Sequence, residues 1–181
     1  MKNVPDAGKF PLIHAKDVDQ IIKFLMKKII IILTIFFLDR ISKIYLINLQ
    51  VSGVDIDFYL NSLLNIYLVW NTGIGFGLIS LESNVFYHIL TFIILAINLA
   101  LIFFLTKSKS SNAYLLALII GGSLGNLFDR LYYNAVPDFI DIHIGSFHWF
   151  IFNVADIFIT IGIIGIAFTE LLKNNNIKTH V

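Results

Sequence analysis

The chain contains no cysteine. Disulfides, thiolate metal centres and a cysteine nucleophile are therefore excluded in any compartment. Charge is scarce as well: 13 basic and 12 acidic residues among 181 give a net charge of +1, with no cluster of either sign. A nucleic-acid partner needs a broad basic field, so none is expected. No His-Glu-x-x-His run occurs, and His143 and His148 stand five apart in a connecting segment with no glutamate nearby. Zinc hydrolysis is not expected, and no metal or cofactor is assigned. Ser123 lies among glycines, while the histidines fall in connections, tails or lone positions such as His88, so a serine nucleophile lacks a base.

What the chain does have is apolar surface. It is 57% hydrophobic and 14% aromatic, with a mean hydropathy of +0.83, which marks an integral membrane protein. Four stretches, about 28–49, 85–105, 113–131 and 149–172, reach the roughly 20 residues that a spanning helix needs. They predict an all-α membrane protein built as a four-transmembrane-helix bundle. Residues 1–22 are polar and read as a disordered cytoplasmic extension, 23–173 as the membrane domain and 174–181 as a cytoplasmic tail. No small-x-small cleavage site follows the first apolar run, so that run is expected to be retained.

Lysine placement sets the orientation. Lys2, Lys9, Lys16, Lys23, Lys27 and Lys28 precede span one, Lys107 and Lys109 join spans two and three, and Lys173 and Lys178 follow span four. Both termini are therefore expected in the cytoplasm. The other three basic residues, Arg40, Lys43 and Arg130, sit toward the opposite side, each near an aspartate. Between spans one and two, the β-leaning run 64–70 leads into Asn71-Thr72-Gly73. It predicts a small strand-containing platform on the outer membrane surface, from which Trp70 and Phe76 can cover a site.

Helical spacing sorts the polar residues into faces. Asp39 and Lys43 are four apart and pair on one turn; Asn126, Asp129 and Arg130 crowd one end of span three; Gly121 and Gly125 allow a neighbouring helix to approach closely. Asn153 and Asp156 are three apart and point to one place, about two turns below the outer surface, with no basic residue within a turn of Asp156. An ionisable group at membrane depth is costly and marks a functional site. Asp138, in the connection before span four, is the best-placed partner by position, with Asp129 and Asp141 still open. Two carboxylates sharing a proton can activate water and polarise a carbonyl. A proton-coupled carrier or channel would also use intramembrane carboxylates, although such proteins usually bring more spans or an inverted repeat.

Five blocks in order carry a resemblance. Asp39-Arg40-Ile41-Ser42-Lys43, Asn71-Thr72-Gly73-Ile74-Gly75-Phe76, Gly121-Gly122-Ser123-Leu124-Gly125-Asn126-Leu127-Phe128-Asp129-Arg130, Val136-Pro137-Asp138-Phe139 and Phe152-Asn153-Val154-Ala155-Asp156 are similar to those of the lipoprotein signal peptidases, or bacterial signal peptidases II. The resemblance implies a cofactor-free aspartyl endopeptidase of the bacterial inner membrane, with its site near the periplasmic face. It would cut prolipoproteins just before a diacylglyceryl-modified cysteine and be blocked by globomycin. Asp138 and Asp156 would form the catalytic dyad; Asn71, Gly122, Asn126, Arg130, Val136 and Asn153 would line the site; Asp39, Lys43 and Asp129 would support it. Pro137, Ser123 and the pair Ile74-Gly75 depart from the residues usual in that family, and none of the three changes removes a group the chemistry needs.

Overall fold

The computed structural model describes residues 15–73, 84–108 and 112–178. Helix α1 (Ala15–Val51) is followed by strands β1 (Asp57–Asn61) and β2 (Leu64–Asn71), helices α2 (Asn84–Lys107) and α3 (Asn112–Tyr133), strands β3 (Val136–Ile144) and β4 (Phe147–Phe152), and helix α4 (Val154–Lys178). Among the described residues, three helices are long and apolar enough to cross a membrane: Val85–Lys107, Asn112–Tyr133 and Val154–Lys173. Helix α1 has ample length, 37 residues or about 55 Å at 1.5 Å per residue. Its apolar character is broken by Lys28, Asp39, Arg40 and Lys43, all of them buried.

Three features differ from the sequence reading. Residues 15–22, expected to be disordered, are the first turns of α1; residues 1–14 lie outside the described residues. The second difference bears on the site. The stretch 149–152, expected to open the fourth span, is strand β4, and α4 begins only at Val154. A continuous apolar run carries no periodicity that separates a buried strand from a helix, so the run 149–172 hid the junction. The platform is also larger than a segment between the first two spans. It is a four-stranded antiparallel sheet in the order β1-β2-β3-β4, half of it supplied by residues that follow α3.

Local chemistry explains the boundaries. Helix α3 stops where Asn134 adopts a left-handed conformation (φ 56°), which asparagine tolerates better than most side chains. Gly145 (φ 61°) opens the tight turn between β3 and β4. The sheet buries Ile56, Leu68 and Phe139 against Leu46 near the end of α1. Lys28 from α1 donates to the carbonyls of Leu105 and Ser108 at the C-terminal end of α2, where a cation meets the unpaired carbonyls and negative end of a helix.

Helix α3 is the centre of the bundle and packs against α1, α2 and α4. Its small residues set the spacing. A Cβ on Gly121 would lie 2.9 Å from the Ile35 Cβ on α1, and one on Gly122 would lie 2.5 Å from the Ala155 carbonyl oxygen on α4. On the α2 side, the Asn98 amide donates to the Ser123 hydroxyl at 2.8 Å. Many large apolar side chains, such as Phe92, Phe104, Ile164 and Phe168, remain exposed on the outer faces of the helices, as lipid-facing positions require.

Gly122→Ala is expected to push α4 away from α3, because backbone rather than a flexible side-chain end meets the added methyl. Overpacking of this kind costs about 1–3 kcal/mol. Thermal unfolding in detergent should show a lowered Tm, whereas an unchanged Tm would mean that the two helices are less closely fitted than described.

Candidate functional site

The junction between β4 and α4 builds the centre of the site. Asn153 is the N-cap of α4 and Asp156 its third residue. The Asn153 Oδ1 accepts from the Asp156 backbone N–H at 3.2 Å, and the Asp156 Oδ2 accepts from the Asn153 backbone N–H at 3.2 Å. This reciprocal pair satisfies two backbone donors that a helix start otherwise leaves open. Asp156 therefore sits in the first turn of α4 rather than two turns down, as the sequence reading had it.

Strand β3 brings Asp138 to the same place. The Asn153 Nδ2 donates to Asp138 Oδ1 at 2.5 Å, so a single asparagine bridges the two aspartates. The remaining oxygens are also held by amides: Asn71, at the end of β2, donates to Asp138 Oδ2 at 2.9 Å, and Asn126 of α3 donates to Asp156 Oδ1 at 2.9 Å. Asp138 is only 3% exposed. Its burial, and then the nearby charge of Asp156, push its carboxyl up to about 6 against the opposing hydrogen bonds from Asn71 and Asn153.

A small cleft of about 170 Å³ is lined by both carboxylates together with Asn71, Asn126, Arg130 and Val136. Larger recesses, one of about 390 Å³ between α1 and the sheet, are almost wholly apolar, so size alone does not locate the chemistry. Arg130 holds the cleft's edge: its Nη2 donates to the Gly73 carbonyl at 2.6 Å, and its own carbonyl accepts from the Tyr87 hydroxyl at 2.9 Å. The Arg130 Nη1 is buried with no hydrogen-bond partner among the described residues. Gly122 acts at one remove, through the close approach of α3 and α4.

The other aspartates are engaged elsewhere. Lys43, fully buried, donates to Asp39 Oδ2 at 2.8 Å, Asp129 Oδ2 at 2.7 Å and Asn126 Oδ1 at 2.9 Å. Arg40 pairs with the other oxygen of Asp129, and the Ala155 backbone N–H donates to Asp39 Oδ1 at 3.1 Å. Asp141 accepts from His148 at 2.7 Å. Asp129 and Asp141, left open as partners of Asp156 from spacing, are thus committed to other groups. Arg40 was noted in the sequence only for its neighbouring aspartate; its bond to Asp129 makes it part of the same network. Trp70 packs on Tyr133 with ring centroids 5.4 Å apart, and Phe76, the other proposed cover, lies outside the described residues.

Comparison with known proteins follows the same lines. The family described as signal peptidase (SPase) II matches residues 31–172. A lipoprotein signal peptidase of Pelagibacter ubique is 47% identical over 147 residues, covering 81% of this chain and 89% of that protein. The chain belongs to the signal peptidase II family. A second relative, the lipoprotein signal peptidase of Anaplasma phagocytophilum, is 43% identical over 153 residues, covering 83% of this chain and 95% of its own length. A solved structure described as a bacterial membrane enzyme aligns with a TM-score of 0.68 at 30% identity, covering 84% of this chain and 92% of the other. A second solved structure of that description gives 0.65 at 32% identity, covering 82% and 94%. As a signal peptidase II family member the chain is a protease of lipoprotein processing.

Two outcomes are expected from this geometry. Lys43→Met strands a buried carboxylate and should cost about 3–5 kcal/mol, while Lys43→Met combined with Asp39→Asn should cost less than Lys43→Met alone. Thermal unfolding of the three proteins tests this, and simply additive losses would argue against the pairing.

The second concerns pH. The folded Asp138 binds its proton up to about pH 6, whereas the unfolded group releases it near 3.9. Between those values the native state holds more protons, so this group's contribution to stability is lost as pH rises. Relative to wild type, Asp138→Asn should therefore gain about 2–3 kcal/mol between pH 4 and pH 7. A stability difference that does not change with pH would contradict a raised Asp138.

Proposed function

We propose that the chain is an intramembrane aspartyl endopeptidase that removes the signal peptide from prolipoproteins by cutting just before a diacylglyceryl-modified cysteine, with Asp138 and Asp156 as the dyad. The observation that carries this reading is the Asn153 bridge: two aspartates face one polar cleft, and every hydrogen bond to their side chains comes from an amide. An ion pair would hold a carboxylate permanently charged; amides orient it and leave its proton exchangeable. The two groups then titrate as a pair.

In the singly protonated pair, the ionised carboxylate takes a proton from water as the oxygen attacks the scissile carbonyl carbon, and the neutral carboxyl donates to the carbonyl oxygen. Collapse of the tetrahedral intermediate breaks the C–N bond. The proton taken from water leaves with the amine, and the shared proton returns to the dyad. Substrate entering the cleft displaces water and favours the shared-proton state further, since removing solvent disfavours two adjacent charges. The unpartnered Nη1 of Arg130 is available to a substrate carbonyl at the same edge.

The membrane arrangement follows from the same reading. Helix α1 is the fourth span: its charged residues are neutralised by Asp129, by one another or by helix-end carbonyls, which lowers the cost of holding them in hydrocarbon. The lysines in and before the first turns of α1, those at the α2–α3 connection and those toward the end of α4 favour a cytoplasmic placement of both termini at the bacterial inner membrane. The sheet and the dyad then lie at the periplasmic face, where the lipidated end of a signal-peptide helix arrives. No cofactor is invoked, and one chain suffices. Globomycin, as an occupant of the dyad, should inhibit.

The test is cleavage of a diacylglyceryl-modified prolipoprotein by the purified protein in detergent. Wild type should cut and globomycin should block it. Asp138→Asn and Asp156→Asn should each be at least about a hundredfold slower, the lower range for loss of a general acid or base. Near wild-type cleavage by either variant removes that residue from the dyad. A folded wild type that never cuts, yet carries protons across vesicle membranes, would support a carrier instead.

A further inference from the structure

A second cluster of ionisable side chains lies on the sheet, outside the proposed dyad. Asp141 and His143 are two apart on β3 and so share a face, while Asp138, three residues before Asp141, points to the other. His148 on β4 pairs directly with His143 across the ladder. Its neighbour Trp149 is an extra residue there, because Ile142 pairs with Phe150 and His143 with His148. From spacing alone His143 and His148, five apart with no glutamate nearby, are not expected to hold a metal; the hairpin is what brings them together.

We propose that Asp141, His143 and His148 form a divalent transition-metal site, with Zn²⁺ as the matching ion. One ligand atom from each lies within 4.8 Å of the other two. The Nδ1 atoms of His148 and His143 stand 2.7 and 3.8 Å from the same oxygen, Oδ2 of Asp141. A hydrogen bond from His148 to Asp141 is the simpler account, and it explains that contact alone. It leaves Asp141 Oδ1 and His143 Nδ1 buried with no hydrogen-bond partner among the described residues, although Asp141 is fully buried and His143 is 7% exposed. Two unsatisfied buried atoms in one cluster are uncommon in a stable fold.

A metal ion gives His143 Nδ1 a partner, and Asp141 Oδ1 as well when the carboxylate binds through both oxygens. Imidazole nitrogens and carboxylate oxygens suit Zn²⁺ at about 2.0–2.2 Å. Three protein ligands leave a position for water, and His148, 55% exposed at its side chain, provides the entry path. The ion would join β3 to β4 near their turn. That hairpin carries Asp138 at one end and leads into Asn153 at the other, so the site stiffens the support of the cleft without entering it.

The experiment uses the full chain in detergent with a tag free of histidine, stripped with EDTA, dialysed and titrated with Zn²⁺ against a chromophoric chelator. Wild type should bind one Zn²⁺ per chain and show a higher Tm with the metal. His148→Ala and His143→Ala should each weaken binding by at least about tenfold and abolish the Tm shift, while His88→Ala should change neither. His148 is exposed, so its loss is not expected to prevent folding. Substoichiometric binding, or an affinity that His148→Ala leaves intact, would overturn the site. Cleavage of prolipoprotein in EDTA and by His148→Ala should persist, which keeps this test separate from that of the peptidase reading.

Discussion

One buried ammonium holds the membrane half of the molecule together. Lys43 spends all three of its protons on Asp39, Asp129 and Asn126. The first belongs to its own helix and the other two to α3, and Asp39 reaches on to the Ala155 backbone N–H in the first turn of α4. The position of a single charge on α1 thus fixes the ends of two other helices. Desolvating such a charge costs several kcal/mol, and only complete pairing repays it. Arg40, Lys43, Asp39 and Asp129 together are neutral, which is the condition for keeping them in a bundle surrounded by lipid. Gly125 makes room for this arrangement: a Cβ there would lie 2.6 Å from the Asp39 carboxylate.

The proposed dyad is held on the opposite principle. Where the network around Lys43 joins opposite charges, Asp138 and Asp156 receive only amides. The two regions nevertheless touch, because Asn126 accepts from Lys43 with its oxygen and donates to Asp156 with its nitrogen. A charge-paired cluster therefore positions a pair that has to stay titratable. The raised Asp138 is the energetic cost of this arrangement, and the packed core formed by Phe139, Leu68, Ile56 and Leu46 just beside it helps to offset that cost.

How far the sequence showed this depended on the range of each interaction. Asp39 and Lys43 were legible because a helix places residues four apart on one turn, and the spacing of Gly121 and Gly125 announced a close helix contact for the same reason. The strand character of β2 was visible in the aromatic and β-branched run 64–70. Strand β4 was not, because Trp149 to Phe152 continue into the apolar sequence of α4 without a break in composition. Asn153 is the residue that marks the boundary: an asparagine three before an acid is a cap signal, which the length of the apolar run outweighs. The engagement of Asp129 by Arg40, 89 residues away, and the meeting of His143 with His148 depend on tertiary and cross-strand pairing, which local spacing does not encode.

The three asparagines bonded to Asp138 and Asp156 explain why amides, rather than any other polar side chain, are suited to these positions. Each has its oxygen pinned by a group that can only donate. For Asn126 this is the Lys43 ammonium, for Asn153 the Asp156 backbone N–H, and for Asn71 the Gly73 backbone N–H at 2.9 Å. With the oxygen committed, the amide nitrogen has one direction left, and in all three cases a carboxylate oxygen lies there. The choice between the two amide orientations, usually open to inference, is here dictated by the donors. An aspartate in any of these places would set acceptor against acceptor, and a lysine would have nothing to offer the donor behind it. The backbone of α4's first turn, the turn after β2 and the ammonium of α1 therefore aim three hydrogen bonds at two carboxylates without adding a charge to either.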